Sequence, residues 1–241
     1  LVIIMLRGGM DGLCAIPVKG DKNFEKLRSK INLDRTLKLN SDFDLHPALE
    51  TFKKLWDQNQ GAVVHATNIP YTGRSHFDGQ NLMESGGKIP YQEKTGWLGR
   101  GMKTAGLTGQ GLALALPMPL LIRGVPMNNN YFPVGRSLPF PATLELIKKA
   151  YKEHNEKLLS ENLEIILTRD FNNRSSDDAW ILASSAGTEL SKPNGPKVAV
   201  FEVEGFDTHA AQGATDGAHA DCLSDYDSII RSLKSSMSKE A

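Results

Sequence analysis

The sequence predicts an α/β fold with a mainly parallel sheet covered on both faces, and three observations carry that prediction. Continuous apolar runs such as LVIIML at Leu1 to Leu6 lack the polar alternation of a half-exposed strand, the pattern of a strand buried on both sides. Stretches with helical spacing lie between the strand candidates, the alternation that builds parallel sheets. Polar, glycine-containing segments follow several of the strand candidates directly, and ligands in such sheets bind beyond the carboxyl ends of the strands.

Taken in order, the first apolar run turns at Arg7-Gly8-Gly9 and gives way to the polar stretch DKNFEKLRSKI. HPALETFKKLWDQNQG places Leu49, Phe52, Leu55 and Trp56 at helical spacing and stops at Gly61. Ala62 to Thr67 (AVVHAT) reads as a second short strand, followed by the turn NIPYTGRS. In SHFDGQNLMES, Ser75 and, three residues on, Asp78 form a helix-capping signature. Residues 96–111 are glycine-rich and partly helical; GLALAL and PLLIRGV read as strands, and NNNYFPVGRSLPFP as an irregular excursion. From Ala142 to about Thr168 helix formers dominate, with Leu144, Ile147, Tyr151, Leu158 and Leu159 on the inner faces. DDAWILASSAGTEL is a helix with acidic residues in its first turn, where they suit the dipole. Lys197 to Val203 is a strand running into Gly205, Asp207 and His209, and LSDYDSIIRSLKSSMSKEA closes as an amphipathic helix. Such a helix normally feeds another strand, and Leu1 already lies inside one, so the chain reads as part of a larger domain.

Composition narrows the function classes. Twenty-eight basic and 28 acidic side chains cancel, leaving no net field to draw nucleic acid or an anionic membrane. The longest apolar run, Leu112 to Ile122, is broken by Pro117 and Pro119 and falls short of the roughly 20 residues of a membrane span. Two cysteines, Cys14 and Cys222, are too few for a disulfide framework or a structural zinc site.

The chemistry-bearing residues cluster at expected strand ends. Asp11 follows the first strand, Arg74, Ser75, His76 and Asp78 follow the second, and Asp207 with His209 follows the late one. In extended backbone Asp207 and His209 point to the same side, and a carboxylate with an imidazole suits zinc or a similar divalent ion. Each residue also has a structural reading: Asp11 as a turn residue, Asp207 to His209 as a turn and cap, Ser75 as a helix cap. A capped helix start also receives tetrahedral anions, and Arg74 beside it can contact one bidentately. His76 and Asp78 are candidates for supporting contacts, as is His219 in DGAHADC. His65 reads as a core histidine, His46 as structural and His154 as solvated.

LRGGMDGL, LHPAL, AVVHAT, RSHFDGQNLMESG, GWLGR and GFDTHAAQ, in this order, resemble domain-of-unknown-function family 1501, which is placed in the alkaline phosphatase-like superfamily. The resemblance implies a three-layer α/β/α domain over residues 1–241 and a divalent-metal site, with zinc the ion its donors suit. It implies export to the periplasm or beyond on a twin-arginine signal. Asp11, Asp207 and His209 would match the superfamily's metal ligands, and Ser75 its nucleophile. The expected activity is hydrolysis of phosphate or sulfate esters on a small molecule or polysaccharide; the alternative is a non-catalytic envelope protein that keeps the fold for binding. Cys14 stands where the family usually carries asparagine. The family's FGRT and GTDHG segments, where further ligands are expected, do not occur in these 241 residues. The domain is therefore expected to be C-terminally incomplete, and these 241 residues alone inactive.

Overall fold

The computed structural model describes residues 1–31, 33–114, 117–130, 140–167 and 179–237. In chain order the elements are β1 (Val2–Leu6), α1 (Gly12–Ala15), α2 (Lys22–Leu27), β2 (Leu37–Lys38), β3 (Asp44–Leu45), α3 (Glu50–Asp57), α4 (His76–Ser85), α5 (Trp97–Thr104), β4 (Gly111–Leu114), a 3₁₀ turn (Leu120–Ile122), β5 (Asn129–Asn130), α6 (Pro141–Glu153), α7 (Lys157–Leu167), α8 (Ala179–Leu190), β6 (Val198–Val203) and α9 (Ala218–Ser236). They fall into two units, Leu1–Phe132 with Ala179–Ala241, and Pro133–Asp178.

The first unit is mixed α/β, built on a parallel sheet of order β1-β6-β4-β5. Val2 to Leu6 pair in parallel with Ala199 to Val203, and Gly111 to Leu114 with Val198 to Phe201. The two-residue strand β5 extends the sheet beside Leu112 and Ala113. Side chains alternate across a pleat, so each strand feeds two cores. Ala199, Phe201 and Val203 of β6 join Leu112 and Leu114 of β4 in one core, with Ala183 and Ala186 of α8 and Leu223, Ile229 and Leu233 of α9. Val198, Val200, Ala113 and Met5 face the other core, with Leu98 and Met102 of α5 and the 3₁₀ turn. Helices thus cover both faces, which is why β6 needs no polar alternation.

Helix α3 shows how the second half of this unit completes the first. Its N-cap is Leu49, which has no side chain to accept a hydrogen bond. Asp227, on α9 and 2% exposed, does this instead: both its oxygens accept from Thr51 N at 2.9 Å, and one accepts from Phe52 N at 3.0 Å. A charged acceptor at a helix N-terminus satisfies orphan donors and the dipole together.

Two expected strands are absent among the described residues. Ala62 to Thr67 has no ladder partner: Val64 is 79% exposed and Ala66 takes a positive φ of 55°, which a strand does not accommodate. His65 consequently stands outside any strand, half-buried, with Nε2 3.3 Å from Ile16 O and its ring on Phe43. In PLLIRGV, Pro119 leads into the 3₁₀ turn, because proline favours the start of a helical turn over a ladder. Tyr131 to Pro139 of the expected excursion, Ala115 and Leu116, and the acidic start of the DDAWILASSAGTEL helix lie outside the described residues.

The second unit is described over α6 and α7, which pack together and are tied by Lys148 Nζ to Glu164 Oε1 at 3.0 Å. The stretch of helix formers from Ala142 onward divides into α6 and α7 at Asn155, whose φ is 56°. The break resets the helical phase: Leu144, Ile147 and Tyr151 are half-buried, while Leu158 and Leu159 are exposed. No helix among the described residues is long and apolar enough to cross a membrane.

Candidate metal centre

Parallel pairing of β1 with β6 delivers their carboxyl ends to one rim, and the backbone stays paired just beyond. Arg7 N donates to Val203 O at 2.7 Å, and Phe206 N to Arg7 O at 3.2 Å. Gly8, at φ 118°, lets the two exits touch; a Cβ there would stand 2.3 Å from Asp207 N. Any side chain at this position would push Asp207 out of place. Phe206, 1% exposed, anchors the loop from the other side.

Beyond that anchor the chain turns sharply. His209 has a φ of 30°, so Asp207 and His209 converge through a turn and not through the extended backbone expected. His209 Nε2 lies 2.9 Å from Asp207 Oδ1. His76, the first residue of α4, brings Nδ1 to 3.6 Å from the same oxygen. The three candidate ligand atoms lie within 4.8 Å of one another, the only such group among the described residues. Donors around a tetrahedral zinc stand about 3.3 Å apart, a value that lies between the 2.9 and 3.6 Å separations from Asp207 Oδ1. One carboxylate and two imidazoles suit a divalent ion such as zinc in donor type.

Asp11 is placed at the same rim but is engaged differently. It caps α1, Oδ1 accepting from Cys14 N at 3.1 Å, while Oδ2 accepts from Gln212 Nε2 at 2.8 Å and pairs with Arg28 Nη2. Burial works against its charge, but the Gln212 hydrogen bond and the Arg28 charge prevail and hold the carboxyl below its ordinary range. It is not part of the His76–Asp207–His209 group. Gln212, from the loop that carries Asp207 and His209, is its link to them.

Ser75 is the N-cap of α4, its Oγ accepting from Asp78 N at 3.2 Å. Arg74 is exposed and has no hydrogen bond or ion pair among the described residues. The carboxylate of Asp78 accepts from Tyr71 Oη at 3.1 Å. His219 is fully buried, edge-on to Phe206, its Nε2 accepting from Asp11 N at 3.3 Å. Burial pushes this imidazole below its ordinary pKa against the raising effect of Asp11. His46, also fully buried, accepts from Ala48 N and bonds through Nε2 to Ala214 O at 2.9 Å, holding the loop before α9. His154 is exposed at the end of α6.

Sequence reasoning placed His76 as a supporting residue, whereas geometry puts it in the cluster itself. It overlooked Arg28 and Gln212 as the partners of Asp11. Gln212 closes the GFDTHAAQ segment, a signal that was present; Arg28, in a lysine- and arginine-rich stretch, carried none. Compared with protein-family models, curated proteins and solved structures, the chain matches none.

Proposed function

We propose that the chain is a metal-dependent hydrolase of phosphate or sulfate esters, an exported protein of domain-of-unknown-function family 1501 with the alkaline phosphatase-like version of its α/β fold. The observation that carries the reading is the meeting of His76, Asp207 and His209 at the carboxyl rim of the parallel sheet. The order of six sequence motifs and the coverage of both sheet faces support it.

On this reading His76, Asp207 and His209 hold the ion, zinc by donor type, which supplies Lewis-acid polarisation of the ester when bound. The N-terminus of α4 and the free guanidinium of Arg74 receive the non-bridging oxygens of a tetrahedral ester group. Ser75, the N-cap that accepts from Asp78 N, is the candidate nucleophile: its oxygen would bond to phosphorus or sulfur as the ester's alkoxide leaves, the hydroxyl proton would pass to that alkoxide, and water would then release the acid and restore the serine. Zinc stoichiometry after dialysis, with turnover of p-nitrophenyl phosphate and sulfate, tests the proposal on the chain extended at its C-terminus, the 241 residues alone being expected to turn over neither ester. About one zinc per chain, lost in Asp207→Ala and in His209→Ala, with turnover lost in Ser75→Ala, is expected. Absence of stoichiometric metal overturns it.

Two observations favour a second reading, an exported envelope protein that binds without turnover. Asp11 is already paired with Arg28, and Ser75 already serves as a cap. Under it neither ester is turned over, and Ser75→Ala differs from the parent only in stability.

A further inference from the structure

Arg28 touches more than Asp11. Between α2 and the β2–β3 ribbon lies a pocket of about 540 Å³, lined by Val18, Phe24, Ile31 and Leu33 and also by Arg28 and Asp44. That volume is in the range of small-molecule sites. Two polar atoms of its lining residues are buried without a partner among the described residues: Asp44 Oδ1 and Arg28 Nε. Asp44 is 8% exposed; its Oδ2 accepts from Thr36 Oγ1 at 2.7 Å, and no described cation pairs with it. Arg28 commits Nη2 to Asp11 and stacks its guanidinium over the Phe24 ring at 6.0 Å, leaving Nε–H unused. Buried groups of this kind are ordinarily satisfied, and a buried charge ordinarily has a counter-ion.

The two orphans ask for different things. A buried carboxylate with only one hydroxyl partner is best met by a cationic donor. The Arg28 guanidinium is already neutralised by Asp11, so a second anion would compete with that pair, while a neutral oxygen satisfies Nε–H without disturbing it. The remaining walls are apolar and one is aromatic, suited to a short carbon skeleton.

We propose that this pocket binds a small primary ammonium carrying a hydroxyl, of the amino-alcohol or amino-sugar class. The ammonium sits on Asp44 Oδ1, a hydroxyl oxygen accepts from Arg28 Nε, and the carbon skeleton lies against Phe24 and Ile31. Both orphan atoms are buried, so lining side chains would have to shift as the ligand enters, and the ion pair it forms would be shielded from water. The site is independent of the ester-hydrolase reading and touches the candidate metal centre only through the Arg28–Asp11 pair.

Isothermal titration of the whole chain with glucosamine and with glucose tests this. Glucosamine is expected to bind at least tenfold more tightly than glucose. Asp44→Asn should erase that preference, and Ile31→Trp, which fills the pocket, should abolish glucosamine binding while the circular dichroism spectrum and the melting transition persist. Saturable binding that survives both substitutions overturns the proposal, as does the absence of glucosamine binding to the parent. The exposed Lys19 also lines the pocket. If it supplies the missing cation itself, Lys19→Gln lowers the melting temperature by several degrees while glucosamine leaves the parent unshifted, and the site is then an internal ion pair.

Discussion

Asp11 and Asp207 leave neighbouring parallel strands at the same end of the sheet, yet they meet different company. The side chain of Asp11 is 15% exposed and saturated: a guanidinium, a side-chain amide and a backbone N–H share its two oxygens. That of Asp207 is 42% exposed and faces only two imidazoles. One carboxylate has its cation built into the chain, and the other is set beside two imidazoles. Position at a strand's carboxyl end therefore does not decide whether an aspartate is engaged by the chain's own groups; its neighbours do.

The contrast predicts opposite responses to deletion. Asp11→Ala removes the α1 cap and strands Arg28 and Gln212, a loss of about 2–3 kcal/mol in denaturant unfolding. Asp207→Ala, in metal-free buffer, should stay within about 0.5 kcal/mol of the parent, as exposed positions do. A reversed order would break the comparison. Zinc sharpens it further: at about ten times its Kd the ion should stabilise the parent by about 1.4 kcal/mol, read as a rise in Tm. Asp11→Asn should keep that rise, and Asp207→Ala and His209→Ala should lose it; an Asp11→Asn variant that also loses it would place Asp11 among the ligands.

Acid should separate the two ends of the Asp11 network. His219 has its folded pKa below the ordinary imidazole value, so the unfolded chain binds the proton more readily, and stability falls as pH drops below that ordinary value. Asp11 has its folded pKa below the ordinary carboxylate value, so its contribution is present above that range and disappears as pH falls through it. Tm against pH should therefore decline in two stages, the first absent in His219→Gln. The smallest effect concerns Cys14, whose thiol burial and the Asp11 charge push up to about 11. Iodoacetamide at pH 8 should label it only on unfolding, with native labelling arguing against the buried capping turn.

The contrast also explains what was legible beforehand. β1 was readable from its unbroken apolar run, although the strand is mostly half-buried, β6 because burial leaves Glu202 its one polar residue, and the α4 cap because Ser75 and Asp78 interact within one turn. Ala62 to Thr67 has strand composition but no strand to pair with, and pairing is a property of the partner. Asp227 capping α3 and Arg28 pairing with Asp11 are contacts between segments whose local patterns make no reference to each other. At the candidate metal centre residue types and approximate location were readable. The turn at His209 and the inclusion of His76 were not, since both depend on how the rim loop folds back over Gly8.

The pairing of β1 with β6 has a consequence for the order of events on the ribosome. Leu1 and Lys197, hydrogen-bonded beside the finished sheet, are 196 positions apart, and among the described residues β1 pairs only with β6. At about 5–20 residues per second, translation leaves the first apolar segment without that neighbour for about ten to forty seconds. Through that interval VIIML is a sticky, unsatisfied ribbon, a natural client for a holdase and a nucleus for aggregation when synthesis stalls.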